Sequence, residues 1–162
     1  MVGIMADKLS PEKRSWNMSR IRGKDTAIEK KVRSCLFRRG YRFRKNDPRL
    51  PGKPDIVLPK YKTVVFIHGC FWHRHQNCKD ATTPKTRTDF WMEKFQKNVN
   101  NDLKHYEELT NTGWRVYVMW ECDIEKRFDQ TIASFIEFLH DDMDSCDVAQ
   151  LDCYIDTSKF IS

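Results

Sequence analysis

No apolar run in this chain approaches the roughly 20 residues that a bilayer-spanning helix requires, so a helical membrane span is excluded. The opening residues, MVGIMADKLSPEKRSW, lack the long apolar region of a secretory signal, and the expectation is an intracellular protein. Internal repeats and low-complexity linkers are also missing, which argues against a solenoid or a string of small modules. At 162 residues, with a hydrophobic content of 40%, the chain is expected to form one domain around a single core.

Acidic residues are the scarcer charge, with 23 Asp and Glu against 29 Lys and Arg for a net charge of +6. The excess is uneven: basic residues crowd the first third, from Lys8 to Lys53, whereas the tail beyond Asp141 is mostly acidic or neutral. A basic half favours a polyanionic partner such as nucleic acid. Six cysteines without secretory features point to metal binding rather than disulfides. Cys35 falls on the apolar stripe of a predicted helix and reads as core, while Cys146 and Cys153 stand apart in the tail.

Residues 1–24 are basic and weakly patterned, interrupted by Pro11 and Gly23, and read as an N-terminal arm preceding a single domain over 25–162. Thr26-Ala27-Ile28-Glu29 is a capping-box pattern, and Ile28, Val32, Cys35 and Leu36 then recur at helical spacing until Gly40, predicting a helix over about 26–39. Strands are predicted around Arg42–Lys45, Asp55–Leu58 and Thr63–Ile67, with turn-rich sequence between the first two. A long helix from about Asp89 to Thr112 should close at Gly113, followed by a half-buried strand over Trp114–Trp120. Phe128, Ile132, Phe135, Ile136 and Leu139 mark a last amphipathic helix. The order predicts an α/β fold, a mixed sheet sandwiched between helices.

Chemistry concentrates in residues 66–78, FIHGCFWHRHQNC, at the end of a β-prone run. Cys70, His75 and Cys78 are spaced so that one loop can wrap a tetrahedral ion, with His73 able to replace His75 on spacing alone. Cys122, just past the strand Trp114–Trp120, is the best fourth ligand if the two strands are neighbours. A closed set of four soft donors suits a structural zinc, since catalytic zinc keeps an open position. Asp55, at the start of a strand that precedes another strand ending in polar groups, supplies a hard oxygen donor of the kind that binds Mg²⁺ in nucleases. His68 and His73 at the adjacent strand end, and Glu29 on a helix able to cover that edge, would complete an acid–base site. Phe71, Trp72 and Trp91 are large aromatics suited to wedging between base pairs. Trp91, Lys94 and Asn98, at i, i+3 and i+7, put a ring, a cation and an amide on one helix face.

Taken in order, Asp25-Thr26-Ala27-Ile28-Glu29-Lys30, Leu50-Pro51-Gly52-Lys53-Pro54-Asp55, His68-Gly69-Cys70-Phe71-Trp72-His73, Pro84-Lys85-Thr86-Arg87-Thr88, Lys97-Asn98-Val99, Gly113-Trp114-Arg115-Val116 and Trp120-Glu121-Cys122 resemble the very-short-patch repair (Vsr) endonucleases over about residues 12–140. The resemblance implies a type II restriction-endonuclease-like fold with a structural zinc. It also implies a bacterial, cytoplasmic and nucleoid-associated enzyme that nicks DNA 5′ to the thymine of a T·G mismatch left by 5-methylcytosine deamination. Asp55 would bind Mg²⁺, with the main-chain carbonyl of Ile67 where a Thr is expected; His73 would activate water, supported by His68 and Glu29. Cys70, His75, Cys78 and Cys122 would hold Zn²⁺. Phe71, Trp72 and Trp91 would intercalate beside the mismatch, Met18 would approach from the other groove, and Lys94 and Asn98 would meet the mispaired bases. The Glu-x-Lys usual after a nuclease Asp is absent, which leaves its proton handling to the histidines. A nickase needs only a monomer, and contacts with mismatch-repair proteins fit the implied role. Two other classes share parts of the pattern: a zinc-stapled DNA-binding module without catalysis, and a restriction nuclease that cuts both strands.

Overall fold

The computed structural model describes residues 10, 12–13 and 25–141. Most of the expected basic arm, Met18, Cys146 and Cys153 lie outside these described residues. Among the described residues, no helix is long and apolar enough to cross a membrane.

Helix α1, Ala27–Arg38, starts as its capping box predicts: Thr26 Oγ1 accepts from the Glu29 amide, and the Glu29 carboxylate accepts from the Thr26 hydroxyl and the Asp25 amide at 2.9 Å each. It closes on Gly40 at φ +88°, where the Tyr41 amide reaches back to the Leu36 carbonyl, the wrapped C-terminal geometry that favours glycine. Val32, Cys35 and Leu36 form its buried stripe, so Cys35 is core as its place in the pattern suggests.

Strand β1 (Ile56–Leu58) turns through a 3-10 segment, Pro59–Tyr61, into β2 (Thr63–His68), which pairs with it antiparallel. Helix α2 (Thr88–Asn111) then crosses over to β3 (Arg115–Trp120), which pairs parallel to β2 with His68 opposite Trp120. The result is a small mixed sheet, β1-β2-β3, with β2 central and buried along its whole length. Side chains alternate between the two faces as the pleat demands. Ile56, Leu58, Val65, Ile67, Tyr117 and Met119 pack with α1 and with α4 (Phe128–His140). Val57, Val64, Phe66, Val118 and Trp120 pack with Tyr106 and Leu109 of α2 and with Cys70 and Cys122. Helices thus flank a three-stranded core sheet on both sides.

Two elements differ from expectation. The strand predicted at Arg42–Lys45 is reduced to one bridge, with Arg44 and Val57 exchanging backbone hydrogen bonds at 2.9 and 2.8 Å. The ladder stops there because Asn46 turns the chain at φ +48°, and buried Asp47 then draws the Arg49 amide and guanidinium into a tight turn. A short helix α3, Glu121–Lys126, begins directly where β3 ends, and it buries Cys122 and Ile124. Six residues carry too little periodicity to announce it in sequence.

Candidate active site and metal cluster

The C-terminal end of β2 delivers two constellations, each with one histidine ring against Trp120. The first is a candidate metal cluster. After His68 the chain turns through residues 69–78, and the backbone bonds His75 N–H to Cys70 O (3.1 Å) and Cys78 N–H to His75 O (3.3 Å) coil this loop around its own centre. Arg74 and Asn77, at φ +56° and +54°, provide the tight reversals. Parallel pairing of β2 with β3 puts the start of α3 beside the loop, and Cys122 faces it. The donor atoms of Cys70, His75, Cys78 and Cys122 all lie within 4.8 Å of one another. Three thiols and an imidazole at that spacing match a closed tetrahedral zinc site. Spacing alone left His73 or His75 open as the ligand; the geometry brings His75 to the cluster, with Nδ1 at 3.5 Å from Cys70 Sγ and 3.3 Å from Cys122 Sγ. Burial pushes the Cys70 and Cys122 thiols above their ordinary range, so a cation is the natural counter-charge for their thiolates. The His75 ring stacks on Trp120 at 4.2 Å.

The second constellation faces a cavity of about 860 Å³ whose walls include Asp55, Glu29, Ile67, His68, His73 and Asp102. The loop Leu50–Lys53 approaches this cavity closely; Gly52 sits at φ +71°, and a Cβ there would lie 2.9 Å from His105 Nδ1. Pro54 leads into β1, and Asp55 Oδ2 accepts the Ile67 amide at 2.7 Å, tying the start of one strand to the end of its neighbour. Asp55 is partly buried, which pushes its carboxyl up to about 6, against the pull of the Ile67 N–H; the nearby Glu29 carboxylate raises it further. Glu29 is buried, spans the capping box, and lies 3.5 Å from Arg33, so it closes the cavity wall while anchoring α1.

His68 and His73 stack face to face, with ring centroids 3.7 Å apart and planes 12° from parallel. His73 Nδ1 donates to Asp102 Oδ2 at 2.5 Å, which leaves Nε2 as the basic nitrogen of the neutral ring. His68 is buried, and its Nε2 shares a 2.5 Å hydrogen bond with the Tyr106 hydroxyl. Burial holds the His68 imidazole neutral, well below its ordinary range, with the neighbouring His73 adding to the effect. A carboxylate–imidazole pair that shares its cavity with a second carboxylate, Asp55 just ahead of β1, can orient a water and accept its proton.

Beside the cavity lies an aromatic cluster. Phe71 meets Trp72 edge-on at 5.0 Å and Trp91 at 5.6 Å, and Trp72 lies 6.1 Å from Trp91. Lys94 Nζ sits 5.0 Å from the Trp72 ring and 5.6 Å from the Trp91 ring, so a cation covers two aromatic faces. Asn98 Nδ2 donates to the Trp72 carbonyl at 3.1 Å, so in this structure it holds the loop that carries the wedge candidates. Phe71, Trp72 and Asn98 line the cavity, whereas Trp91 and Lys94 reach it by packing on Trp72. Every site residue predicted from sequence within the described region therefore gathers at one end of the sheet.

Asp102 and Tyr106 escaped the reading of the sequence. The signal was nonetheless present: Asn98, Asp102 and Tyr106 follow at i, i+4 and i+8, and they extend the Trp91–Lys94–Asn98 stripe by two turns.

Comparison with known proteins places the chain among relatives of one family. The profile of the family described as DNA mismatch endonuclease Vsr matches residues 6–80. The chain is 45% identical over 136 residues to the DNA mismatch endonuclease Vsr of Escherichia coli, covering 82% of this chain and 86% of that protein. It is 51% identical over 123 residues to the type II nicking enzyme V.NmeAIP of Neisseria meningitidis, covering 76% of this chain and 87% of that enzyme. A type II nicking enzyme of Xanthomonas oryzae, V.XorIIP, is 47% identical over 120 residues, covering 74% of this chain and 88% of that enzyme.

Proposed function

Because this chain belongs to the Vsr family of DNA mismatch endonucleases, we propose that it nicks one strand of duplex DNA 5′ to the thymine of a T·G mismatch, with Mg²⁺ as its catalytic cation. The observation that carries this reading is the His73–Asp102 pair opening onto the same cavity as Asp55. His73, with its Nδ1 proton committed to Asp102, presents Nε2 as a general base toward a water in the cavity, and His68 supports its ring from behind. Asp55 is the carboxylate for Mg²⁺, assisted by the Ile67 carbonyl; the Ile67 amide holds one of its oxygens at the strand junction. Mg²⁺ in such a site neutralises phosphate charge and lowers the pKa of water. Cys70, His75, Cys78 and Cys122 are the residues for a structural Zn²⁺, which would pin the loop bearing His73 and the aromatics.

Selectivity is assigned to Phe71, Trp72 and Trp91 as wedges, with Lys94 and Asn98 near the mispaired bases and Met18 from the other groove. Unstacking costs a few kcal/mol per step and less at a mismatch, so a wedge favours the damaged site before any base is read. This fits a type II restriction-endonuclease-like domain over 25–162 with a basic arm over 1–24, acting as a monomer on nucleoid DNA in a bacterial cytoplasm. Contacts with mismatch-repair proteins belong to the same role.

The test is an end-labelled duplex carrying one T·G pair, incubated with the zinc-loaded protein with and without Mg²⁺. A single Mg²⁺-dependent cut 5′ to the thymine is expected. Binding without cutting would leave only a DNA-holding module, and equal cutting of both strands of a matched duplex would indicate a restriction nuclease.

A further inference from the structure

Three successive turns of α2 each send one hydrogen bond into the segment 68–73. Asn98 holds the Trp72 carbonyl at 3.1 Å, Asp102 holds His73 Nδ1 at 2.5 Å, and Tyr106 holds His68 Nε2 at 2.5 Å. The first two bonds have evident purposes, the seating of a wedge and the orienting of a base. The third has none in the mechanism above. We propose that Tyr106 is a positioning residue of the active site, whose hydroxyl keeps His68 from competing with His73 for the Asp102 carboxylate.

The geometry contains that competition. Asp102 Oδ2 lies 2.5 Å from His73 Nδ1 and also 4.0 Å from His68 Nε2. If His68 carried its proton on Nε2, a small ring rotation would let it donate to the same oxygen, and the hold on His73 would weaken. Tyr106 prevents this by occupying Nε2. An imidazole nitrogen is a far better acceptor than a phenol oxygen, so the hydroxyl donates and the His68 proton resides on Nδ1. Asp102 then serves a single donor. The ring is held as well as its tautomer: His68 stacks on His73 at 3.7 Å with planes 12° apart, and on Phe66 at 5.8 Å with planes 30° apart. Tyr106 is itself fixed, buried in the α2-side core with Phe66 5.3 Å from its ring. His73 stands on a turn, so the His68 face and the Asp102 oxygen are what aim it.

This rests on the nuclease reading of the site, and it is tested by Tyr106→Phe, which keeps the ring in the core and removes only the hydroxyl. The zinc-loaded variant is expected to bind T·G duplex as tightly as wild type. Its single-turnover nicking rate should fall by about tenfold or more, as is usual when a group that orients a reactive residue is lost. Imidazole ¹⁵N spectra of DNA-free wild-type protein should place the His68 proton on Nδ1, and those of the variant should move it to Nε2. The proposal is overturned by a wild-type spectrum with the proton on Nε2, or by a folded, zinc-loaded variant that nicks at the wild-type rate. The spectrum needs no turnover. A protein that fails to nick at all therefore sinks the nuclease reading, whereas a wrong tautomer sinks only the role of Tyr106. Should the variant not fold, the wild-type spectrum alone decides.

Discussion

Replacing Asp55 by Asn should abolish nicking and yet make the Mg²⁺-free protein more stable. The Asp55 carboxyl is pushed from 3.8 up to about 6, chiefly by burial. The folded protein therefore holds this proton more tightly than the unfolded chain does between those two values. Stability is lost as pH rises through that window, and the whole penalty is present above about pH 6. At about 1.4 kcal/mol per pH unit, it amounts to roughly 3 kcal/mol. Asn keeps an oxygen for the Ile67 amide, which Asp55 Oδ2 binds at 2.7 Å, but it introduces an amide N–H with no prepared acceptor. That offsets about 1 kcal/mol, leaving a net gain of about 2 kcal/mol and a Tm rise of about 6 °C at pH 8. Thermal unfolding of zinc-loaded, DNA-free protein in Mg²⁺-free buffer measures it. The gap should close near pH 4.5, where the wild-type folded carboxyl is already protonated, and added Mg²⁺ should stabilise wild type while leaving Asp55→Asn unmoved. An Asn variant no more stable than wild type at pH 8, or an advantage that grows as pH falls, would refute the reasoning.

Other perturbations probe the remaining parts. His73→Ala should lower single-turnover nicking by about 10²- to 10⁴-fold with duplex affinity retained, and an unchanged rate removes His73 as the base. Metal analysis is expected to find zinc in wild type, and Cys122→Ser should release it and lower the Tm; a wild type without zinc, or a variant that retains it, would show the ligand set to be wrong. Trp72→Ala should weaken the preference for a T·G duplex over a matched one more than it weakens DNA binding generally, whereas a uniform loss on both duplexes would argue against wedging. Gly52→Ala should destabilise the protein by about 1 to 3 kcal/mol, because the position sits at φ +71° and its new Cβ would press on His105; chemical denaturation reads this, and a neutral result would mean that the loop yields freely.

One ring joins the two constellations. Trp120 stacks on His75 of the candidate metal cluster at 4.2 Å, and its ring lies 5.6 Å from His68 of the candidate active site. The same indole therefore contacts an imidazole of each constellation.

Much of this was legible along the chain because it is governed by neighbours in sequence. The capping box at Thr26–Glu29 and the reversal at Gly40 bound α1 within a residue of expectation, because caps act through side chains a few positions away. The apolar run Thr63–Ile67 and the alternation after Trp114 marked the two strands whose parallel pairing brings Cys122 to Cys70, so one inference about strand ends sufficed to bring the four candidate donors together. The Arg42–Lys45 segment failed as a strand because strand formation depends on a partner, and the turn at Asn46 withdraws it after a single bridge. Asp102 and Tyr106 were invisible for the converse reason. On a helix, an Asp and a Tyr at i and i+4 look like any other polar and aromatic positions, and their meaning comes from the histidines 29 and 38 residues away that the crossover of α2 lays against them. Local periodicity specifies which residues share a face. The packing of that face against the end of β2 makes one carboxylate a partner for a base and one phenol a guard for its neighbour.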